Sequence, residues 1–436
     1  MSIAAASEIR TVFDRLRRLE VMDVLRAATF IATLLLVWVS LRPFVDLSGS
    51  QLKDLTTGNE TLTYAAFGCL AVLTVALAMA DNRSGLTTLL SPGFILFGAW
   101  VFVTAALSLD LSTSIRRFAL TASVTAVAST LLLLPKSQTE LMRWLSIAAL
   151  ALLAICYLGI LLAPNLSIHL ATDAQEPALA GDWRGSFGHK NGAAPVMVFL
   201  LFIGIYAVRL GALLSGTAII GFAGLFLLFS GGKSALALSI AVFLLAGLVS
   251  AARTLWLRAA ICLTPLLALN LLSVGTVMSD GLENIARMLP FDTTFTGRTD
   301  IWTFAFQALQ QRLLTGYGFA AFWGSSSIKD LPEGKEWAEF ASHSHNGYLD
   351  TALAMGLPGL LLLIVVLVAG PLKNFHAADR GGNSGPLATM LLQIWLFGLY
   401  LSSMESFFLD RADPLWFTFL LGVFGLHYLA RFRLSE

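Results

Sequence analysis

The chain has 436 residues, of which 57% are hydrophobic and only 13% charged, with a net charge of +1 and a mean hydropathy of +0.77. A soluble domain carries about 25% charged residues, so this chain cannot cover a water-facing surface. Its near-zero charge offers no field to gather nucleic acid. What is left is an all-α polytopic membrane protein.

Apolar runs of roughly 18–22 residues, enough to cross ~30 Å of hydrocarbon, recur along the chain. Residues 1–23 form a charged N-terminal segment expected in the cytoplasm. No cleavable signal peptide is visible, because the apolar run that follows is long enough to stay as a span. Residues 24–436 make one membrane domain with twelve expected spans: 24–41, 62–80, 89–109, 116–134, 142–162, 192–208, 212–229, 234–250, 257–277, 348–369, 387–407 and 414–430. Cys69, Cys156 and Cys262 lie inside apolar runs and read as small core residues.

Lys and Arg set the orientation. With the N-terminus inside, the inner segments hold fifteen of the 28 and the outer ones eight, once a loop of about seventy residues with the other five is left out. Long loops are translocated largely regardless of charge. Both termini are therefore expected in the cytoplasm, with external loops at about 163–191 and 278–346. In the longer loop Ile301, Trp302, Ala305, Leu309 and Leu313 recur at helical spacing. Thr299 and Asp300 stand where caps are needed, and Gly316 where a helix ends. Such an amphipathic helix is expected to lie along the membrane surface.

The polar residues crowd these outer segments. The shorter loop ends Trp183-Arg184-Gly185-Ser186-Phe187-Gly188-His189-Lys190-Asn191, and the next outer turn reads Ser230-Gly231-Gly232-Lys233-Ser234. The longer loop carries Thr296-Gly297-Arg298-Thr299, then Gly316-Tyr317-Gly318-Phe319, and closes His343-Ser344-His345-Asn346 ahead of Gly356-Leu357-Pro358-Gly359. Arg184, Lys190, Lys233 and Arg298 thus converge on one face of the membrane, where Arg forks and Lys point charges suit phosphate oxygens. His345 is able to take a proton near neutral pH. Glu405, near the outer end of the eleventh span, is an acid where acids are rare and usually functional.

Plainer readings stand beside these. Cations at span ends often snorkel to lipid headgroups. The Gly-Gly-Lys-Ser turn lacks the first half of a P-loop and follows no soluble strand, so no nucleotide site is read there. His343 and His345 resemble a metal pair, but no further carboxylate or Cys lies at ligand spacing, so no metal is expected. His169 and His376 read as surface histidines and His427 as a packed core residue, and Gly356 and Gly359 as a helix-packing pair.

His345-Asn346, nine residues, then Gly356-Leu357-Pro358-Gly359 resembles the signature of the O-antigen ligase and polymerase superfamily. Gly297-Arg298-Thr299 with Trp302 resembles the same family's motif ahead of an outer amphipathic helix. Gly185-x-Phe187-x-His189-Lys190-Asn191 and Gly316-Tyr317-Gly318-Phe319 with Phe322-Trp323 look like its exopolysaccharide-polymerase branch. The resemblance runs from about Trp183 to Glu405, though many ligases carry Arg where this chain has Lys233. It implies a metal-independent inverting glycosyltransferase of the bacterial inner membrane, acting on undecaprenyl-diphosphate-linked glycans without a cofactor. His345 would orient or deprotonate the acceptor hydroxyl, while Arg298 and Arg184, with Lys233 assisting, would stabilise the leaving diphosphate. His189, Asn191, Tyr317, Asn346 and Glu405 complete the expected substrate site, and a flippase and a chain-length regulator the expected partners. A ligase transferring finished glycan to lipid A–core or protein is the alternative. A non-catalytic transporter of polyprenyl-linked glycan is a third reading, weakened because the polar residues sit in outer loops rather than at mid-membrane.

Overall fold

The computed structural model describes residues 3–47, 60–173, 176–288, 297–323 and 341–433, and among them the chain is helical, with an isolated β-bridge between Ile168 and Trp183. The first half comprises α1 (Ile3–Val39), α2 (Glu60–Asp81), a short α3 (Arg83–Thr88), α4 (Pro92–Ala106), α5 (Leu111–Leu131), α6 (Gln138–Leu162), α7 (Lys190–Arg209) and α8 (Leu213–Phe229). The second half comprises α9 (Lys233–Ala251), α10 (Leu255–Leu271), α11 (Asp280–Arg287), α12 (Arg298–Gln311), α13 (Gly347–Leu363), α14 (Gly370–Arg380), α15 (Pro386–Leu401) and α16 (Pro414–Leu429). A π-helical turn, Ile364–Ala369, joins α13 to α14.

Every expected span overlaps a helix. Six helical stretches are long and apolar enough to cross a membrane, and five shorter apolar helices accompany them. Leu162, Leu214, Leu244 and Leu361 stand exposed on these helices, the surface that lipid would cover. The protein is a multi-pass membrane protein.

Contacts join segments expected on the same side of the membrane. Among segments expected on the inner side, Lys136 pairs with Asp23 at 2.5 Å, Arg26 with Asp81, and Arg258 with Asp379. Among segments expected on the outer side, Trp183 stacks on Phe229, and Asn191, Arg298 and His345 all reach Glu405.

The G-x-x-G stretch does more than pack. Gly356 takes φ +69° and kinks α13. Pro358 has no N–H to return to Ala354, and the Leu357 N–H is diverted to the Leu313 carbonyl at 2.8 Å. The carbonyls so released are taken from outside the helix. Tyr317 N–H donates to Leu353 at 2.8 Å and Gly318 N–H to Ala354 at 3.2 Å. A Cβ at Gly318, where φ is +107°, would collide with Ser108, so glycine is required for this approach. The kink therefore straps the outer loop onto the helix that begins beside His345.

Several expectations need correction. The ninth span ends as α-helix at Leu271 and the eleventh at Leu401, because a turn of the chain begins at Ser402, so Glu405 lies in a loop and not in a span. Gly297, at φ +84°, is the N-cap of α12, which places Thr299 and Asp300 inside the first turn. Leu313 falls beyond the helix and is exposed. The apolar face of α12 (Trp302, Ala305, Ala308, Leu309) is buried with Phe322, Leu349 and Leu353, so protein, not the bilayer surface, covers it. His169 is buried and bonded to Asp173 at 3.0 Å, so it is not a surface histidine, while His376 is partly exposed and bonded to Arg258 at 3.1 Å. His427 is buried as expected. Thr296 lies outside the described residues.

Candidate active site

Two anchors fix the chain on either side of His345. Asn346 caps α13, its Oδ1 accepting from Tyr348 N at 3.1 Å and Leu349 N at 3.0 Å. Its Nδ2 donates to Asn270 Oδ1 at 3.0 Å and the Ser403 carbonyl at 3.2 Å. On the other side Ser344 N–H donates to both Asp350 oxygens, at 3.2 and 3.0 Å, and the Ser344 carbonyl accepts from Trp302 Nε1 at 2.8 Å. Between them His345 is held at φ +55°, a left-handed conformation that costs a non-glycine residue about 1–3 kcal/mol. Its N–H donates to His343 Nδ1 at 3.2 Å.

Glu405 is where the segments meet. Its Oε2 lies 3.1 Å from His345 Nδ1, and its Oε1 accepts from Arg298 at 3.3 Å and from Asn191 Nδ2 at 3.4 Å. Arg298 also donates to the Met404 carbonyl at 2.6 Å. Burial by itself would raise the Glu405 carboxyl. The His345 hydrogen bond and the charges of His345 and Arg298 outweigh it and hold the group below the ordinary carboxylate range. An ionised carboxylate only accepts, so the proton of neutral His345 sits on Nδ1. Nε2, which has no hydrogen bond among the described residues, keeps its lone pair.

The other expected residues divide. Lys233 opens α9 and is exposed, with no bond to its ammonium among the described residues. Gly232 beside it packs on Ala194 of α7, which starts at Lys190 and Asn191. His189 is the N-cap of α7, one ring nitrogen accepting from Asn191 N at 3.0 Å and the other bonded to Glu176. Lys190 pairs with Asp182 at 2.6 Å. Arg184 is 1% exposed and donates to the carbonyls of Phe187 at 3.1 Å and Val45 at 2.7 Å. It knits the loop together, and a residue so enclosed is not presented to a diphosphate. Tyr317 spends its hydroxyl on the Ala308 carbonyl at 3.0 Å, beneath Arg312, and acts as a brace for α12. The expected four-cation surface therefore narrows to Arg298 and Lys233.

The family profile for O-antigen ligase matches residues 216–364, a stretch that contains Lys233, Arg298, His345, Asn346 and the Gly356–Gly359 kink. The resemblance to the O-antigen ligase and polymerase superfamily holds. A second likeness is to the exopolysaccharide production protein ExoQ of Rhizobium meliloti (strain 1021), at 32% identity over 123 residues. That match spans 26% of this chain and 27% of the relative's own length. Arg184, Asn191 and Glu405 lie outside the profile's bounds, and the fold alone brings Glu405 to His345 and Asn191 to Glu405.

The superfamily motif did not announce its supports. Asn270, Ser403, Asp350 and Trp302 hold His345 in place; Trp302 stood in the motif with Arg298, Asn270 is a polar residue inside an apolar span, and Ser403 and Asp350 carried no visible signal. The reason given for excluding a metal also fails. Glu405, sixty residues away in sequence, brings a carboxylate to the histidines, so His343, His345 and Glu405 offer ligand atoms within 4.8 Å of one another. Two features oppose a divalent ion. Arg298 already bonds the same carboxylate and would be repelled by a second cation. His343 Nδ1 is committed to the His345 N–H.

Proposed function

We propose that this superfamily relative is a polysaccharide polymerase, a metal-independent inverting glycosyltransferase. It joins undecaprenyl-diphosphate-linked repeat units of an exopolysaccharide or O-antigen on the periplasmic face of a bacterial inner membrane, with both termini in the cytoplasm. The observation that carries the reading is the bond from His345 Nδ1 to Glu405. It orients the ring and leaves Nε2 as the base for an acceptor hydroxyl, at an outer loop where a lipid-linked sugar arrives.

In this reading the acceptor oxygen attacks the anomeric carbon, its proton passes to His345 Nε2, and the bond to the lipid diphosphate breaks. Glu405 stabilises the imidazolium that forms. Arg298 keeps donors beyond those given to Glu405 and Met404, and with Lys233 it receives the charge that develops on the diphosphate. A well-placed donor of that kind contributes about 3–4 kcal/mol to the transition state. A flippase would supply the substrate and a chain-length regulator would set the product.

The experiment that separates polymerase from ligase is analysis of lipid-linked glycan in a deletion strain. Accumulation of single repeat units supports polymerase. Accumulation of finished polymer on the lipid supports the ligase reading instead.

A further inference from the structure

Beside His345, on the side of His343, lies a chamber of about 570 Å³ lined by Arg117, His343, Asp350, Trp323, Ser406 and Arg411, with further aromatic residues. A second cavity, of about 350 Å³, runs below it between α4, α5, α16 and the π-helical turn. The two share Leu409. On α5, Arg117 faces the chamber while the next residue, Phe118, and Thr121 one turn deeper line the lower groove. Thr121 donates to the Leu409 carbonyl at 3.2 Å, and Phe118 meets Phe319 edge-on at 6.5 Å. Leu409, Phe118 and Phe319 thus mark the neck where the two compartments adjoin, and Arg117 and Arg411 line the chamber.

The two compartments differ in chemistry. The groove is lined almost wholly by apolar side chains of α4, α5 and α16, with the small residues Gly98, Ala122, Ala126 and Ser129 among them. The chamber has aromatic faces suited to the C–H face of a sugar, and carboxylates suited to its hydroxyls. Trp323 is fixed there by its bond to Asp350 at 2.8 Å. The Ser406 hydroxyl is buried without a partner among the described residues, a donor that a bound group would satisfy. Arg117 donates to the carbonyl of Ala320, and Arg411 lies 3.4 Å from Asp410. Ala320, Leu409 and Arg411, all around this chamber, have positive φ without being glycine, and backbone strain of that kind gathers at functional sites.

We propose that groove and chamber together bind the lipid-linked acceptor. Its single polyprenyl chain lies in the groove and its phosphate at the neck beside Arg117 and Arg411. Its sugars cross the chamber past Trp323 and His343 to His345. The assignment rests on the reading of His345 as the acceptor's base, and it puts acceptor and leaving diphosphate on opposite sides of that residue. It also names a specificity: one chain enters, and a lipid with several acyl chains does not.

Binding tests this without turnover. The full chain, purified in detergent, is incubated with undecaprenyl monophosphate carrying a photoreactive group in its chain. The expected label falls on 92–106, 111–131 and 414–429, and it is not displaced by inorganic diphosphate or by phosphatidylglycerol. Ala122→Phe, which fills the groove, is expected to cut retention at least tenfold at unchanged Tm. Arg117→Gln is expected to weaken undecaprenyl monophosphate and leave undecaprenol, which has no phosphate, unaffected. Label spread evenly over lipid-facing helices of the unaltered protein, or equal competition by phosphatidylglycerol, would overturn the assignment. Displacement by inorganic diphosphate would mean a free-phosphate site instead. His345→Ala should retain the lipid fully, so loss of the catalytic reading and loss of this one give different results.

Discussion

His345 and Glu405 are sixty residues apart in sequence and 3.1 Å apart in the fold. The carboxylate also accepts from Arg298 and Asn191, so one acid ties the cation proposed for the leaving group to the base proposed for the acceptor. Glu405→Gln removes the charge but not the shape. A neutral amide neither stabilises imidazolium nor holds the Nδ1 tautomer against the alternative. Glycan synthesis is expected to fall at least 10²-fold, in the range a positioned base supplies, with the protein inserted at its normal level. Activity near that of the parent would remove Glu405 from the mechanism.

Arg298 offers a planar fork, of which the Met404 carbonyl and Glu405 take part. Arg298→Ala is expected to abolish product, and Arg298→Lys to recover little, since a point charge cannot bond the backbone, the carboxylate and a phosphate together. The measurement is in vitro polymer yield at matched protein level. Normal yield from the alanine variant would exclude the role.

The strap on α13 makes a separate prediction. Pro358→Ala restores an N–H that competes with Gly318 for the Ala354 carbonyl. Gly318→Ala is the harsher change, because its backbone is left-handed and its Cβ collides with Ser108. Tm is expected to fall in both variants, by more in Gly318→Ala, at a cost of about 1–3 kcal/mol for the strained residue. An unchanged Tm in Gly318→Ala would show that the strap does not hold the loop.

Acid should loosen the site. The Glu405 carboxyl is held below its ordinary value of 4.5 in the fold, and burial with the charge of His345 lowers His343 below its ordinary 6.5. In both cases the unfolded chain binds the proton first, so stability is complete above the ordinary value and drops as pH falls through the lowered one. Hydrogen-exchange protection of 341–346, corrected for intrinsic rates, is expected to hold from pH 8 to 7 and to decline below about 6.5. Protection that rises on acidification would reverse the sign.

Orientation is tested by reporter fusions. Phosphatase activity is expected after Asp280 and not after Ala377, because Lys and Arg are in excess at the end that carries α14. Activity at Ala377 alone would invert the topology.

Much of this was legible in the sequence because lipid makes it so. Each span must satisfy its own backbone and be apolar over a bilayer's depth, and that pattern is local. The segments carrying Arg298, His345 and Asn346 were legible for the same reason, since their residues lie close together in the chain. What sequence spacing could not give was partnership. Arg184 and Tyr317 stood in the expected site, yet burial hands the two terminal nitrogens of Arg184 and the Tyr317 hydroxyl to carbonyls of their own protein. By its apolar neighbours Glu405 belongs to a span, and only the turn after Leu401 carries it to the histidines. That same turn undid the argument that no third metal ligand was at hand.

The most direct test compares His345→Ala and His343→Ala in purified protein supplied with lipid-linked repeat units, with and without chelator. His345→Ala is expected to abolish polymer while substrate accumulates. His343, whose Nδ1 steadies the His345 backbone, is expected to leave partial activity when changed to alanine, and chelator to leave the parent unaffected. Equal loss in both variants, with a chelator-sensitive parent restored by added metal, would contradict a metal-free base at His345 and establish the His343, His345 and Glu405 cluster as a metal centre.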